Sequence, residues 1–231
     1  MIGMDVLLGN PNSNSDRFYG VTIAVVTNNK DPDQLGRVKV KFPWLSDTSE
    51  SHWARVVSPM AGNQRGLYLL PEVDDEVLVA FEHGDLQFPY VLGALWNGKD
   101  KPPATNDDGK NHQRLFKSRS GHTILFDDTD GDEKIVIQDK TNKNEISIDS
   151  KNNLIVIKSE KDCTIEATKG NISLKASGGS NVTIECGKFS VNAQQGIELK
   201  TNGTCDIEAE ASLGIKCLAG VKINDGALEV T

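Results

Sequence analysis

Two groups of carboxylates in this chain of 231 residues sit close enough in sequence to do chemistry together. Glu72, Asp74, Asp75 and Glu76 crowd one short stretch, and two acids flanking one bond are what glycoside cleavage requires. Acids in a turn before a strand are ordinarily solvated, however, and no apolar surroundings that would keep one of them protonated are visible around these four. Asp127-Asp128-Thr129-Asp130-Gly131-Asp132-Glu133 has the composition of a calcium loop, but Phe126 stands where the first ligand belongs and Ile137 replaces the bidentate Glu. A hairpin or connecting turn between Ile124–Phe126 and Ile135–Ile137 explains it better. No Ser/His/Asp, Cys/His or phosphate-loop pattern has the needed spacing, so we expect no catalytic residue, no cofactor and no metal.

The four cysteines, Cys163, Cys186, Cys205 and Cys217, lack the CxxC spacing of a zinc site. Each falls on the dry phase of a repeat that dominates the second half of the chain, so they read as small apolar fillers, not as a disulfide framework. From Phe189 onward the repeat is regular. Apolar pairs two apart recur every eight residues at Phe189/Val191, Ile197/Leu199, Cys205/Ile207, Leu213/Ile215 and Val221/Ile223. The same unit continues backwards, with slips, through Val182/Ile184, Ile172/Leu174, Cys163/Ile165, Ile155/Ile157 and Ile146/Ile148.

Spacing of two within each unit means strands with one dry and one wet face, and a fixed period predicts similar strands stacked in one direction. Gly187, Gly203, Gly170 and Gly178 lie between units and mark corners. An amphipathic helix is excluded, because an eight-residue period drifts against 3.6 residues per turn and the units are rich in Ile, Val and Thr. Periodicity alone leaves two closures open, a single-chain solenoid with three strands per rung or a prism shared by three chains. The dry side chains are few and modest in size, so an isolated chain has a thin core, and that favours three chains.

Composition changes near residue 98. All three Trp and all three Tyr precede it, and beyond it the aromatic residues are Phe116, Phe126 and Phe189. We therefore expect a leader at 1–16, a globular domain at 17–97, a linker at 98–115 and a repetitive domain at 116–231. The net charge of −8 and pI of about 5.1 argue against nucleic acid, whose phosphates need clustered Lys and Arg. The N-terminus lacks the basic start and long apolar run of a signal peptide, which implies assembly in the cytoplasm and delivery outward by a machine.

The globular part reads as short strands at Tyr19–Val26, Gly36–Phe42, Ala54–Ser58, Leu67–Leu70, Glu76–Phe81 and Tyr90–Leu95, which suggests a small Greek-key barrel. Its wording is more specific. Asp31-Pro32-Asp33-Gln34-Leu35-Gly36-Arg37-Val38, then Trp53-Ala54-Arg55-Val56, then Gly66-Leu67-Tyr68-Leu69-Leu70-Pro71 running on to Glu82-His83-Gly84-Asp85, then Pro89-Tyr90-Val91-Leu92-Gly93 occur in one order. In this the chain resembles the OB-fold domain of baseplate spike proteins, the family of contractile phage-tail central spikes and of the VgrG proteins of type VI secretion. Ser120-Gly121-His122-Thr123-Ile124 resembles the start of that family's spike.

The resemblance implies an all-β protein, an OB-fold barrel followed by an intertwined triple-stranded β-helix in a homotrimer. In that arrangement the trimer core is Phe189, Val191, Ile197, Leu199, Cys205, Ile207, Leu213, Ile215, Val221 and Ile223. Relatives with a fused hub carry several hundred residues before the barrel, against about sixteen here, so a separate baseplate hub protein, or a hub part missing from this chain, is expected. The segment 97–115 leaves no room for an inserted lysozyme domain, and His52, His83, His112 and His122 are all far from a metal-binding tip. Leu228, Val230 and Thr231 continue the strand pattern to the last residue, and three such ends form an apolar triangle that a PAAR-type tip protein is expected to cover.

Two functions follow. In the first, the trimer is a structural, membrane-piercing central spike of a contractile injection system, carrying a tip and effectors and meeting the target membrane transiently. In the alternative, it is a trimeric β-helical fibre that binds or cleaves surface polysaccharide. A groove enzyme should show repeats interrupted by long loops with acids or aromatics, and none interrupts 187–224.

Overall fold

The computed structural model describes residues 17–45 and 49–219. They are all β apart from one 3-10 turn at Glu82–Gly84. The chain separates into two compact units, one ending at Thr164 and one beginning at Ile165.

The first unit opens with a barrel. Strands β1 (Thr22–Asn28), β2 (Lys39–Lys41), β3 (Arg55–Val56), β6 (Glu76–Phe81) and β7 (Pro89–Ala94) form a sheet in the order β2-β1-β6-β7-β3. All pairs are antiparallel except β3 with β7. The two edges then meet through Val38 and Ala54, which exchange backbone hydrogen bonds of 3.0 and 2.7 Å. That closure removes the open edge and shuts the inward side chains into one core. Ala24, Val26, Val38, Val40, Val77, Val79 and Val91 are fully buried, with Phe42 and Phe81 nearly so. β-branched valine at alternate positions suits a tightly curved sheet, where each strand gives one face to the interior. Phe18 caps this core, stacking on Trp44 and meeting Phe81 edge-on.

The β1–β2 connection is built around Asp31. Its carboxylate accepts hydrogen bonds from the backbone N–H of Asp33, Leu35 and Arg37 and from the Arg37 guanidinium at 2.7 and 2.9 Å. The Arg37 guanidinium and these amides hold the Asp31 carboxyl well below the usual carboxylate range. Gln34 (φ 57°) and Gly36 (φ 69°) take left-handed conformations to complete the loop.

The expected strand at Leu67–Leu70 is not formed. Leu67 instead donates its N–H to the Met60 carbonyl at 2.9 Å, and the run follows a two-residue hairpin that the sequence reading missed, β4 (Ala61–Gly62) with β5 (Arg65–Gly66). Gly66 (φ 154°) permits the hairpin, since a Cβ there would lie 2.5 Å from the Met60 carbonyl oxygen.

Beyond the barrel, β8 (Gln113–Lys117) starts inside the stretch read as linker, and β9 (Thr123–Asp127), β10 (Lys134–Gln138), β11 (Glu145–Asp149) and β12 (Leu154–Lys158) follow. They form one antiparallel meander, β8-β9-β10-β11-β12. The expected hairpin between Ile124–Phe126 and Ile135–Ile137 is present, but the expectation of strands stacked in one direction fails for 146–157. The connections are the reason: a four- to six-residue link can turn a chain back on itself but cannot carry it over for parallel pairing. Asx turns hold these links. Asp139 accepts from the Thr141 hydroxyl and from the Lys143 and Asn144 amides, and is pulled down to about 2, chiefly by Thr141. Asp149 accepts from the Asn152 amide, and Asn142 and Asn153 supply left-handed residues.

Among the described residues from Ile165 onward no strands pair. The turn bond from Ser180 N–H to Ser177 O, 3.4 Å, is the backbone hydrogen bond there. The rung-to-rung ladder of a single-chain solenoid is therefore not formed among them.

Candidate functional surface

The meander presents an inverted version of the barrel's pattern. Register pairs Phe116 with Ile124, Ile124 with Ile137, Ile137 with Ile146 and Ile146 with Ile157, giving a straight cross-strand row. A second row runs Arg114, Phe126, Ile135, Ile148, Ile155. Both rows lie on one face, because side chains of the same parity share a side of the sheet. These Ile and Phe side chains are 37–68% exposed, whereas Leu115, Leu125, Val136, Ser147 and Val156 on the opposite face are half-buried. The most apolar face of the sheet is thus its most exposed one, a condition that marks an interaction surface.

The expected core residues of the repeat behave in the same way. Phe189, Val191, Ile197, Leu199, Ile207, Leu213 and Ile215 are 53–80% exposed, and Cys163, Cys186, Cys205 and Cys217 are free and exposed. None belongs to a buried core, and among the described residues the buried hydrophobic ones all lie in the barrel. Val221, Ile223, Leu228, Val230 and Thr231 lie outside the described residues. Among the described residues nothing covers the exposed members of the repeat.

The acids weighed for catalysis are dispersed into structural contacts. Asp75 accepts from the Glu72 amide at 2.8 Å, Glu72 pairs with Arg119 at 2.9 Å, and Asn97 donates to Glu76 at 3.3 Å. Asp127 is buried beside β8 and accepts from the Thr129 hydroxyl (2.6 Å) and amide (3.0 Å), which lowers its pKa. Among the described residues no three His, Cys, Asp or Glu side chains gather to hold a metal ion, and no helix is long and apolar enough to cross a membrane.

The sequence reading missed one surface. Leu35, Val57, Met60, Leu67, Leu69 and Leu92 line a cavity of about 840 Å³ on the barrel, beneath the β4–β5 hairpin. The apolar run at Leu67–Leu70 was its signal, but the run had been read as a paired strand.

The barrel is the part of the chain that a comparison with known families reaches. Residues 22–96 match the family model described as the type VI secretion system/phage-baseplate injector OB domain. In this stretch the chain is similar to an injector OB domain. It is also similar to VgrG spike proteins. It is 33% identical over 113 residues to the type VI secretion system spike protein VgrG3 of Vibrio cholerae, which covers 46% of this chain and 11% of that protein. It is 33% identical over 135 residues to the spike protein VgrG5 of Pseudomonas aeruginosa, covering 52% and 17%. The actin cross-linking toxin VgrG1 of Vibrio cholerae is matched at 33% over 113 residues, 46% of this chain and 10% of the toxin. The chain thus spans a small part of the length of these relatives. The matched stretch supplies the barrel, and the exposed Ile rows follow it in the chain.

Proposed function

We propose that this protein is a structural, non-catalytic central spike of a contractile injection system, and that three copies close their apolar rows around a common axis. One observation carries the reading. Between Ile124 and Ile215 a series of Ile, Leu, Val and Phe side chains is exposed in the single chain, and among the described residues nothing covers them. Burying a side chain of this kind contributes about 1.5–3 kcal/mol from full exposure, so even the half that remains open drives association when summed over some twenty positions. Three-fold closure also gives the unpaired backbone beyond Thr164 its hydrogen-bond partners and leaves no sheet edge along the shaft.

The work of such a shaft is mechanical. A narrow prism, knitted by main-chain bonds between chains, transmits the thrust of a contracting sheath to a target membrane. Its similarity to the VgrG spike proteins supports this role. In this reading a baseplate hub holds the barrels and a PAAR-type tip sits on Leu228, Val230 and Thr231. The polysaccharide-fibre alternative needs a groove of acids and aromatics along the shaft, and Phe189 is the one aromatic residue between 165 and 219.

Light scattering of the full chain, followed by electrophoresis in detergent without boiling, tests the proposal. A trimer that resists detergent is expected, and a monomer overturns the spike reading. Deleting 226–231 should abolish binding of the cognate tip protein while leaving the trimer intact. Unchanged tip binding would remove the tip assignment.

A further inference from the structure

We infer that the β8–β12 meander is the element on which three copies of this chain first associate and which sets their register, the repeat beyond it zipping on afterwards. This rests on the trimeric reading above. Two observations point the same way.

The first is pre-organisation. The meander completes its ladder within one chain, every strand from β8 to β12 paired through five residues. Its Ile and Phe rows are therefore already assembled before any partner arrives, and association there orders little new backbone. Residues beyond Thr164 have no ladder of their own and must be ordered at the moment they pair.

The second is register. From Phe189 the units repeat every eight residues, so sliding one chain by a unit lays Phe189/Val191 against Ile197/Leu199 and keeps every apolar pair facing another. Such a slip forfeits little beyond one unit at the end. The earlier strands do not permit it. Their starts at Thr123, Lys134, Glu145 and Leu154 are 11, 11 and 9 residues apart, and the pairs beginning at Cys163, Ile172, Val182 and Phe189 follow at 9, 10 and 7. No single displacement keeps these steps in phase: one of 11 residues matches Thr123 and Lys134 to the next starts but not Glu145, and the later steps of 9, 10 and 7 disagree with one another. Within each meander, moreover, a one-residue slip would turn Ile146 and Ile148 to the opposite face. The information that aligns three chains thus resides before the regular repeat, and the pre-folded part holds the first of it.

The test uses the full chain with Cys163→Ala, Cys186→Ala and Cys217→Ala, leaving Cys205 as the register probe. Equivalent Cys205 thiols cross-link through a short bis-maleimide when chains are aligned, and a one-unit slip sets them against Leu213 or Ile197 instead. In this background Ile137→Asp and Val191→Asp are refolded from denaturant, with Ile137→Ala and Val191→Ala as milder counterparts and tryptophan fluorescence reporting the barrel. Ile137→Asp should slow trimer formation about tenfold or more, or stop at a barrel-folded monomer, and the trimers that form should lose most Cys205 cross-linking. Val191→Asp should lower the melting temperature but form trimers within about threefold of the parent rate, with cross-linking retained. The alanine pair should show the same order at smaller size. Equal slowing by the two sites, a larger effect at Val191, or full cross-linking in slow-forming Ile137→Asp trimers would overturn the inference. A monomeric parent protein would instead overturn the trimeric reading, and that is seen before any variant is refolded.

Discussion

The barrel and the repeat use one alphabet to opposite ends. Val26, Val40, Val77 and Val79 lie at inward positions of alternating strands and are wholly buried, while Ile197, Leu199, Leu213 and Ile215 recur two apart in their units and stand in solvent. The difference lies in what the connections allow. The barrel's turns and its Val38–Ala54 closure bring five strands round on themselves, so each dry face meets another of the same chain. Among the described residues from Ile165 onward no strand pairs with another, so the apolar residues of the repeat have no such partner there. Alternation specifies that a face must be covered, and connectivity decides by whom.

The strongest way to break this contrast is to place a charge on each side of it. Leu199→Asp would put three carboxylates around the proposed axis, each costing several kcal/mol, on the order of 10 kcal/mol per trimer. Detergent resistance should be lost from that level onward while barrel fluorescence is unchanged. If the variant stays fully detergent-resistant, Leu199 does not face other chains. In the barrel, Phe81→Ala leaves a cavity under Phe18 and Phe42 and should cost about 3–5 kcal/mol, read as a drop in the barrel's own denaturation midpoint. Its effect should be independent of protein concentration, as an in-chain core demands.

Acid sharpens the comparison further. Asp31, Asp127 and Asp139 have folded-state pKa values below their ordinary ones, held there by Arg37, Thr129 and Thr141 respectively. Groups depressed in this way contribute stability that is present above the ordinary carboxylate pKa near 4 and is lost as pH falls towards the folded-state values, about 2 for Asp139. The barrel and meander should therefore loosen between about pH 4 and 2. Proteolysis of the barrel and the meander across that range would show it. The smallest effect is expected from Arg119→Ala, which removes an exposed ion pair with Glu72 worth below about 1 kcal/mol. Its contribution should vanish in high salt.

Legibility followed how local each signal was. β6 was read with its exact ends, and β1 and β7 to within a few residues, because alternation and turn residues are local. Leu67–Leu70 was misread, since four apolar residues in a row look like a strand until Gly66 is seen to drive a separate hairpin past Met60. The β9–β10 hairpin was read, but the antiparallel sense of β11 and β12, which had a signal in the short connections, was overlooked in favour of the repeat. The cavity under the β4–β5 hairpin had the misread Leu67–Leu70 run as its signal, and the rest of its lining is brought together from residues 34 to 93.

By itself the sequence determined most strands of the barrel, the apolar alternation, the acidic charge and the likeness to injector spikes, all of which are properties of neighbouring residues and their order. Tertiary structure decided which strands reverse, where the barrel closes, and that the apolar residues between Ile124 and Ile215 stay exposed among the described residues. The physical reason is that side-chain alternation is fixed by backbone geometry at each residue, whereas burial depends on which surfaces the connections can bring together.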